Sequence, residues 1–298
     1  MFLPKQRSNI VLFSSLLIVG NLFLQCAGQE PSVNALIERS KVLWNRTDDL
    51  FRIPYDNFGA DRSYEHADGV VFPYRLFEPK MEDGKLLPLV VFFHGGGGEG
   101  TDNQQQFTDL ILAPTVWALP EHQEKNPAYV LVPQAAKWTG WLHPNLPAMK
   151  GLIDTVISLH SIDPDRIYIT GLSMGGLATW AMIQEYPDFF AAAVPVCGGG
   201  DLNELDGIMN SNLPIWAFHG VLDPVIKIDT LQDWFDKPEE VFSGQRTFIN
   251  ELTRRGMEPT PKGTWYPDME HNAWDGAYSD PELFNWLFSQ SKQQRKQR

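Results

Sequence analysis

Short apolar runs alternate with segments of helical periodicity along most of this sequence, and that alternation limits the chain to few folds. The apolar runs are rich in β-branched and aromatic residues: GVVFPYRLFEP, LVVFFHG, YVLVPQ, RIYITG, FAAAVPV, PIWAFHG and GTWYP. Helical periodicity at residues 148–160, 177–185 and 239–256 lies between several of them. Because a strand with two apolar faces must be covered on both, the pattern predicts an α/β fold with a mostly parallel central sheet and helices on both faces.

Length and composition favour one large domain. The chain has 298 residues, 43% of them hydrophobic, which is enough to bury a substantial core. No repeat or Pro/Ser-rich linker divides it, so we expect a polar lead-in at 29–66, one α/β domain at 67–292 and a solvated basic tail at 293–298. The net charge of −13 would repel nucleic acids and anionic membrane surfaces, and neither is an expected partner.

The first residues have the pattern of an export signal. Lys5 and Arg7 precede an apolar run from Ile10 to Leu24, which suits the hydrophobic region of a signal peptide and is short for a membrane span. We predict a signal peptide at 1–28, cleaved after Gly28, and a secreted or periplasmic protein. The alternative is lipidation at Cys26, which would anchor the protein to a membrane. Cleavage would leave Cys197 alone, without a partner for an intramolecular disulfide.

The stretch RIYITGLSMGGLATWAMIQEYP places a serine at a sharp corner. Residues 166–170 have the composition of a short strand, and residues 177–185 have that of a helix. Ser173 lies between them, and Gly171 and Gly175 flank it without the Cβ atoms that would collide in so tight a turn. This Gly-x-Ser-x-Gly pattern at a strand-to-helix corner predicts an exposed nucleophilic serine.

A glycine-rich loop follows the LVVFFHG strand. Its sequence, HGGGGEGTDN, allows the backbone to approach a ligand and to direct amides toward it. A serine nucleophile needs two such donors for the oxyanion that its attack creates, and we expect them to be the amides of Met174 and Gly96. A phosphate-binding loop is the alternative, but the Gly-Lys-Ser/Thr ending of such loops is missing.

A neutral serine also needs a histidine to accept its proton and a carboxylate to orient that histidine. In α/β sheets these groups collect at the carboxyl ends of the strands. Asp223 follows the PIWAFHG strand, and His271 follows GTWYP, which gives the chain order serine, acid, histidine. We therefore predict Ser173, Asp223 and His271 as the catalytic residues.

Other histidines and carboxylates are alternatives for these roles. His219 ends an apolar strand and fits a packed, hydrogen-bonded core histidine, and His94 fits a brace for the glycine loop. The remaining alternatives are His143 and His160 as bases and Asp201 and Asp206 as acids.

Metal-ligand spacing is not evident in the sequence. The seven histidines form no His-Glu-x-x-His or His-x-His pattern, and no cysteine pair accompanies them. We expect a reaction that needs no metal and no cofactor.

Four motifs in this order resemble the α/β-hydrolase superfamily: HGGGGEGTDN, DPDRIYITGLSMGGLATW, FHGVLDPV and EHNAWDGAYSDPELFNWLFSQ. Within it they are most similar to bacterial exported carboxylesterases, of the phospholipase/carboxylesterase or prolyl-oligopeptidase-like kind, near the polyhydroxybutyrate depolymerase and feruloyl esterase group. The similarity covers roughly Tyr74 to Gln290. It implies an α/β-hydrolase fold with Ser173 as nucleophile, Asp223 as acid and His271 as base. The lead-in is short for the β-propeller of prolyl-oligopeptidase peptidases, so we expect ester rather than peptide hydrolysis.

Tryptophans after two of the predicted strands are candidates for a substrate wall. Trp138 and Trp141 follow the YVLVPQ strand, and Trp274 follows His271, and aromatic walls suit a sugar ring or a phenolic acyl group. Core packing is the other reading of these side chains. The expected substrate is a small or polysaccharide-linked ester, such as a feruloyl or acetyl ester. The alternatives are a peptidase or amidase, and a non-catalytic carbohydrate-binding protein on the same fold.

Overall fold

A computed structural model describes residues 55–80, 84–108, 112–142, 144–230 and 242–296. The predicted signal peptide, Cys26 and His143 lie outside these residues. Ten strands are present in the described part of the chain: β1 Arg62–Glu65, β2 Val71–Phe77, β3 Leu87–Phe93, β4 Tyr129–Pro133, β5 Ile162–Leu172, β6 Ala192–Val196, β7 Gly199–Asp201, β8 Trp216–Gly220, β9 Phe242–Gly244 and β10 Lys262–Tyr266.

Eight of these strands form one central sheet in the order β1-β2-β4-β3-β5-β6-β8-β10. The pairings of β1 with β2 and of β2 with β4 are antiparallel, and every later pairing is parallel. Strands β7 and β9 form a separate antiparallel pair. The prediction of a mostly parallel sheet in an α/β fold is confirmed.

Helices connect the strands. The α-helices within the described residues are α1 Gln105–Thr108, α2 Leu112–Thr115, α3 Pro120–Lys125, α4 Leu146–Leu159, α5 Met174–Glu185, α6 Asp206–Ser211, α7 Gln245–Arg254, α8 Trp274–Ala277, α9 Pro281–Phe288 and α10 Lys292–Arg295. Short 3-10 helices lie at Tyr55–Phe58, Gly96–Gly98, Val116–Ala118 and Trp138–Trp141. Among the residues described, no helix is long and apolar enough to cross a membrane.

Strand β3 shows why the apolar runs lack a polar side. Leu89, Val91 and Phe93 pack into one buried cluster, whereas Val90 and Phe92 between them pack into a second one. Because successive side chains of a strand point to opposite faces, these two clusters cover the two faces of the sheet. The core therefore has two parts, one on each face of the sheet, and for this reason the central strands are apolar throughout.

Two predictions about the elements need correction. The polar lead-in predicted at 29–66 contributes the edge strand β1, since its residues pair with Val71 to Tyr74. The helix predicted at 239–256 begins only at Gln245, and the residues just before it form β9. A Cβ atom on Gly244 would overlap the backbone of Ile228, so this close approach fixes an extended segment ahead of the helix.

The predicted solvated tail is also not solvated throughout. Arg295 in α10 is buried, and its guanidinium donates to the carbonyl oxygens of Pro187 and Phe190 at 3.2 Å and of Asp188 at 3.3 Å. These carbonyls lie in the turn after α5. The C-terminal segment is thus fastened to the loop that follows the serine helix.

Arg295→Ala is expected to destabilise the protein by about 1–3 kcal/mol, because buried carbonyl oxygens would lose a charged donor. Urea unfolding measures this difference. Lys296 is the matched control, since it is the neighbouring basic residue and is exposed. Lys296→Ala should change stability by no more than about 0.5 kcal/mol. Equal effects of the two substitutions would show that the contacts of Arg295 contribute nothing.

Candidate active site

Ser173 occupies a strained turn between β5 and α5. Its backbone has φ 55° and ψ −118°, a region that non-glycine residues rarely adopt. The amide of Ser173 donates to the Val196 carbonyl oxygen at 2.9 Å, and α5 begins at the next residue. The corner predicted from the sequence is therefore present, with the serine at its apex.

Two glycines allow this turn to press against the end of β3. A Cβ atom on Gly175 would overlap the Phe93 carbonyl oxygen and lie 2.8 Å from that of His94. A Cβ atom on Gly171 would overlap the Gly175 carbonyl oxygen. Any larger residue at either position would push the serine turn away from the sheet.

The structure brings the three predicted catalytic residues into one hydrogen-bonded chain. Ser173 Oγ lies 2.8 Å from His271 Nε2, and His271 Nδ1 lies 2.7 Å from Asp223 Oδ2. Since a carboxylate oxygen accepts, Nδ1 carries the proton and donates to Asp223, which leaves Nε2 free to accept the serine proton. The arrangement joins a hydroxyl, a base and a buried anion in the order that activates a serine.

Asp223 accepts hydrogen bonds at both carboxylate oxygens. Oδ1 accepts from the amides of Val225 and Ile226 at 2.8 and 2.9 Å. Oδ2 lies 3.1 Å from His219 Nε2, in addition to its contact with His271. Burial alone would raise the pKa of Asp223, but the hydrogen bonds from His219 and His271 outweigh it and hold the pKa well below the usual range. The carboxylate is therefore an anion throughout the neutral pH range.

The loops that carry Asp223 and His271 lie side by side because β8 and β10 are parallel neighbours. The amide of Leu222 donates to the Met269 carbonyl oxygen at 3.0 Å, which joins the two loops. Cys197, at the end of β6, donates its thiol to the His271 carbonyl oxygen at 3.3 Å. Three strand ends therefore hold the histidine loop in place.

The glycine loop passes beside the serine. A Cβ atom on Gly95 would lie only 3.6 Å from the Cβ atom of Ser173. The two amides predicted for the oxyanion are the first ones of helices, since Gly96 begins a 3-10 turn and Met174 begins α5. Such amides have no acceptor within their helix, and neither donates to another described residue. Both remain available to a negatively charged oxygen.

His94 braces the glycine loop from below, as the sequence indicated. Its Nε2 accepts from the Ala135 amide at 3.0 Å, so the proton sits on Nδ1, which donates to the Gly95 carbonyl oxygen at 2.6 Å. Burial lowers the pKa of His94 to about 4, because a charged imidazole would lose its solvation. His94 is thus a neutral structural histidine that links β4 to the loop.

A second group of polar residues, of which Arg75, Asn103 and Gln134 are buried, holds the far end of the loop. The Asn103 amide donates to Gln134 Oε1 at 2.6 Å, and Gln134 Nε2 donates to Asp102 Oδ1 at 2.9 Å. Arg75 Nε donates to the Asn103 carbonyl oxygen at 2.9 Å. A glycine-rich segment would otherwise be mobile, so these contacts provide a fixed backbone beside Ser173.

The predicted tryptophan wall is partly corrected. Trp141 is buried: it stacks on Phe72 at 5.9 Å between ring centroids and donates Nε1 to the His94 carbonyl oxygen at 3.3 Å. It packs behind the glycine loop and does not face a substrate. Trp274 is half-buried and stands edge-on to the His271 ring, with 5.2 Å between centroids. The Trp138 side chain lies outside the described residues.

Three of the alternative acids and bases, His160, Asp206 and Asp201, have partners outside the Ser173–His271–Asp223 chain. His160 caps α4 and pairs with Glu78 at 3.5 Å, and Asp206 pairs with Arg255 at 3.6 Å. Asp201 caps a turn by accepting from the Asn203 amide at 2.9 Å. His219 is buried as expected, yet it contacts Asp223, a role that the sequence did not reveal.

Within the described part of the chain, one group of side chains could supply ligands for a metal ion. Atoms of Cys197, His219 and Asp223 lie within 4.8 Å of one another, and all three residues are buried. Burial raises the pKa of the Cys197 thiol, and only a thiolate binds metals well. Each of these side chains already has a hydrogen bond within the site: Cys197 with the His271 carbonyl oxygen, and His219 with Asp223.

Comparison with known proteins identifies one matching family profile and several similar proteins. A profile of the prolyl oligopeptidase family matches residues 149–236. The chain is 34% identical to a crystal structure of a thermostable esterase, with a TM-score of 0.67 over 78% of this chain and 63% of that one. It is 32% identical to acyl-protein thioesterase 1 of Debaryomyces hansenii over 51% of this chain and 61% of the thioesterase.

A shorter match has a higher sequence identity. Over 52 residues the chain is 48% identical to poly(3-hydroxyalkanoate) depolymerase C of Paucimonas lemoignei, which covers 17% of this chain and 13% of the depolymerase. The chain thus spans less than two thirds of the length of these three relatives. The fold is that of the α/β-hydrolases, and the chain is similar to esterases and to a family of peptidases.

The depressed pKa of His94 predicts a loss of stability in acid. The unfolded chain binds a proton at this histidine near pH 6.5, whereas the folded protein does so only at about 4. The contribution of neutral His94 to the free energy of unfolding is therefore fully present above pH 6.5. It falls by up to about 3 kcal/mol as the pH drops from 6.5 to about 4. In His94→Gln, whose side-chain oxygen can accept from Ala135, the stability difference between about pH 7.5 and about pH 4.5 should shrink by roughly 2 kcal/mol. Urea unfolding at both pH values measures it, and an unchanged difference would contradict the assignment.

Proposed function

We propose that this protein is a serine carboxylic-ester hydrolase that acts through an acyl-enzyme. The observation that carries the proposal is the continuous hydrogen-bonded chain from Ser173 Oγ through His271 to Asp223, next to two unpaired amides. The esterase relatives support the same class of reaction.

In this mechanism His271 Nε2 accepts the proton of Ser173 as Oγ attacks the ester carbonyl carbon. The amides of Met174 and Gly96 stabilise the negative charge on the carbonyl oxygen. When the tetrahedral intermediate collapses, His271 returns the proton to the leaving alcohol. His271 then accepts a proton from the water that attacks the acyl-enzyme, and it returns this proton to Ser173 Oγ as the acid is released.

For the substrate we propose a small or polysaccharide-linked ester with an aromatic or short acyl group, such as a feruloyl or acetyl ester. Trp274 lies edge-on to His271 and provides an aromatic surface there. Leu222 and Val225, on either side of Asp223, are 58% and 41% exposed and add apolar surface. The expected export signal would place such an enzyme outside the cytoplasm, where polymer-linked esters are accessible.

Fluorophosphonate labelling tests the nucleophile. Intact-mass spectrometry should show one adduct on the wild-type protein and none on Ser173→Ala, whose ester turnover should fall by about 10³-fold or more. Ser158 is the matched control, because it is an exposed serine on α4, away from the site. Ser158→Ala should keep the adduct. A folded wild-type protein without an adduct would favour the non-catalytic carbohydrate-binding alternative.

Peptide or amide hydrolysis is the second candidate function, because the matching family profile is that of prolyl oligopeptidases. A matched pair of substrates, an ester and an anilide with the same acyl group, separates the two. We expect turnover of the ester and, for the anilide, no rate above that of Ser173→Ala. Comparable rates on both substrates would support the peptidase or amidase instead.

A further inference from the structure

His219 lies at the end of β8 and contacts the side chain of Asp223 from the protein interior. Its side chain is fully buried, and Nε2 lies 3.1 Å from Asp223 Oδ2 and 2.8 Å from the Ile226 carbonyl oxygen. Nδ1 is buried and has no hydrogen-bond partner among the described residues. A second histidine therefore contacts Asp223, at the same carboxylate oxygen that accepts from His271.

These contacts determine which nitrogen of His219 carries the proton. Both neighbours of Nε2 are acceptors, a carboxylate oxygen and a carbonyl oxygen, so Nε2 must be the donor. A proton on Nδ1 would be buried without an acceptor, which is costly. His219 is accordingly the neutral Nε2–H tautomer and donates to Asp223 and Ile226.

We propose that His219 is a positioning residue that fixes the Asp223 carboxylate to the central sheet and thereby orients His271. The proposal rests on the proposed function, because it assigns His219 a part in the same serine chemistry. It goes beyond the triad in giving the acid a fourth donor, from a strand and not from a loop.

The location of His219 explains why this donor matters. The amides of Val225 and Ile226 fix Oδ1, but without His219 the other oxygen would be held by His271 alone. The His271 side chain is 19% exposed and belongs to a loop, whereas His219 lies on β8 between β6 and β10. The acid is thus oriented by the sheet, and it can transmit that orientation to the base on the loop.

The donor also influences charge at His271. Titratable groups near His219 are Asp223 and Asp229 from the residues after β8, Cys197 from the end of β6, and His271 beyond Asp223. When His219 donates to Oδ2, part of the carboxylate charge is neutralised. Removal of this donor would leave more negative charge on the carboxylate oxygen that accepts from His271.

Substitution by Gln and by Met tests the proposal, because these residues have similar size and only Gln has an N–H at the position of Nε2. His219→Met should lower kcat on an ester substrate by about 10- to 100-fold, less than the ~10⁴-fold cost of disabling the acid of a triad. KM should stay within about 2-fold, since a positioning residue acts on the transition state. The acid limb of the pH profile should move to higher pH. His219→Gln should restore most of kcat and the wild-type acid limb.

Gln245 provides the matched control. It is as buried as His219, and its hydrogen bonds join it to Trp180, Gly198 and Phe218, not to the triad. Gln245→Met should lower stability but leave kcat and the pH profile unchanged. If it reproduced the effects of His219→Met, a general loss of packing would explain both, and the proposal would be overturned.

The outcomes separate this proposal from the proposed function. A wild-type protein that takes no fluorophosphonate label refutes the function itself. If the wild type takes the label, two results refute the role of His219 alone. One is a kcat of His219→Met equal to that of the wild type, and the other is a kcat of His219→Gln as low as that of His219→Met. Should the variants not fold, the wild type still decides: a ¹H–¹⁵N spectrum of the histidine rings should show His219 protonated at Nε2, and protonation at Nδ1 would overturn the proposal.

Discussion

The close approach of the serine turn to the end of β3 is the constraint on which the site depends. With Gly175 against the Phe93 carbonyl oxygen, Ser173 is forced into a backbone conformation that is unfavourable by itself. The same contact starts α5 at Met174, which leaves its amide unpaired, and brings the glycine loop alongside the serine. The sheet thus supplies the stability that a strained turn requires, and the position of both the nucleophile and its expected oxyanion donors follows from one packing contact.

Buried polar groups complete the site, and hydrogen bonds join them to the loops around Ser173 and Asp223. Neutral His94 joins the glycine loop to β4, and ionised Asp223 accepts from two amides and two histidines. A buried polar group without a partner would be costly, so satisfied networks of this kind hold one arrangement of the loops. Two histidines outside the Ser–His–Asp chain therefore have structural roles. His94 orients the backbone beside the expected oxyanion position, and His219 orients the acid.

Local sequence was sufficient for features that depend on local physics. The corner at Ser173 could be predicted from glycine spacing, and the parallel sheet from apolar runs without a polar side, since both follow from sterics and burial along a short stretch. Features that depend on a distant partner could not be predicted. Arg295 looked like a solvated cation because its carbonyl partners lie more than a hundred positions earlier in the chain. Trp141 looked like a substrate wall for a similar reason, and the contact of His219 with Asp223 appears only when the loop after β8 folds back.

The residues proposed for the chemistry and those that could select a substrate lie in different parts of this fold. The prolyl oligopeptidase profile matches residues 149–236, a range that includes Ser173 and Asp223 but ends before His271. The proteins to which the chain is similar are named as an esterase, a thioesterase and a depolymerase, so likeness in sequence and fold does not define a single substrate. In this chain the exposed Leu222 and Val225 and the half-buried Trp274 lie near Asp223 and His271, in the segments that follow β8 and β10. Because loops can change without disturbing the sheet, substrate choice is free to vary while Ser173, His271 and Asp223 stay in place.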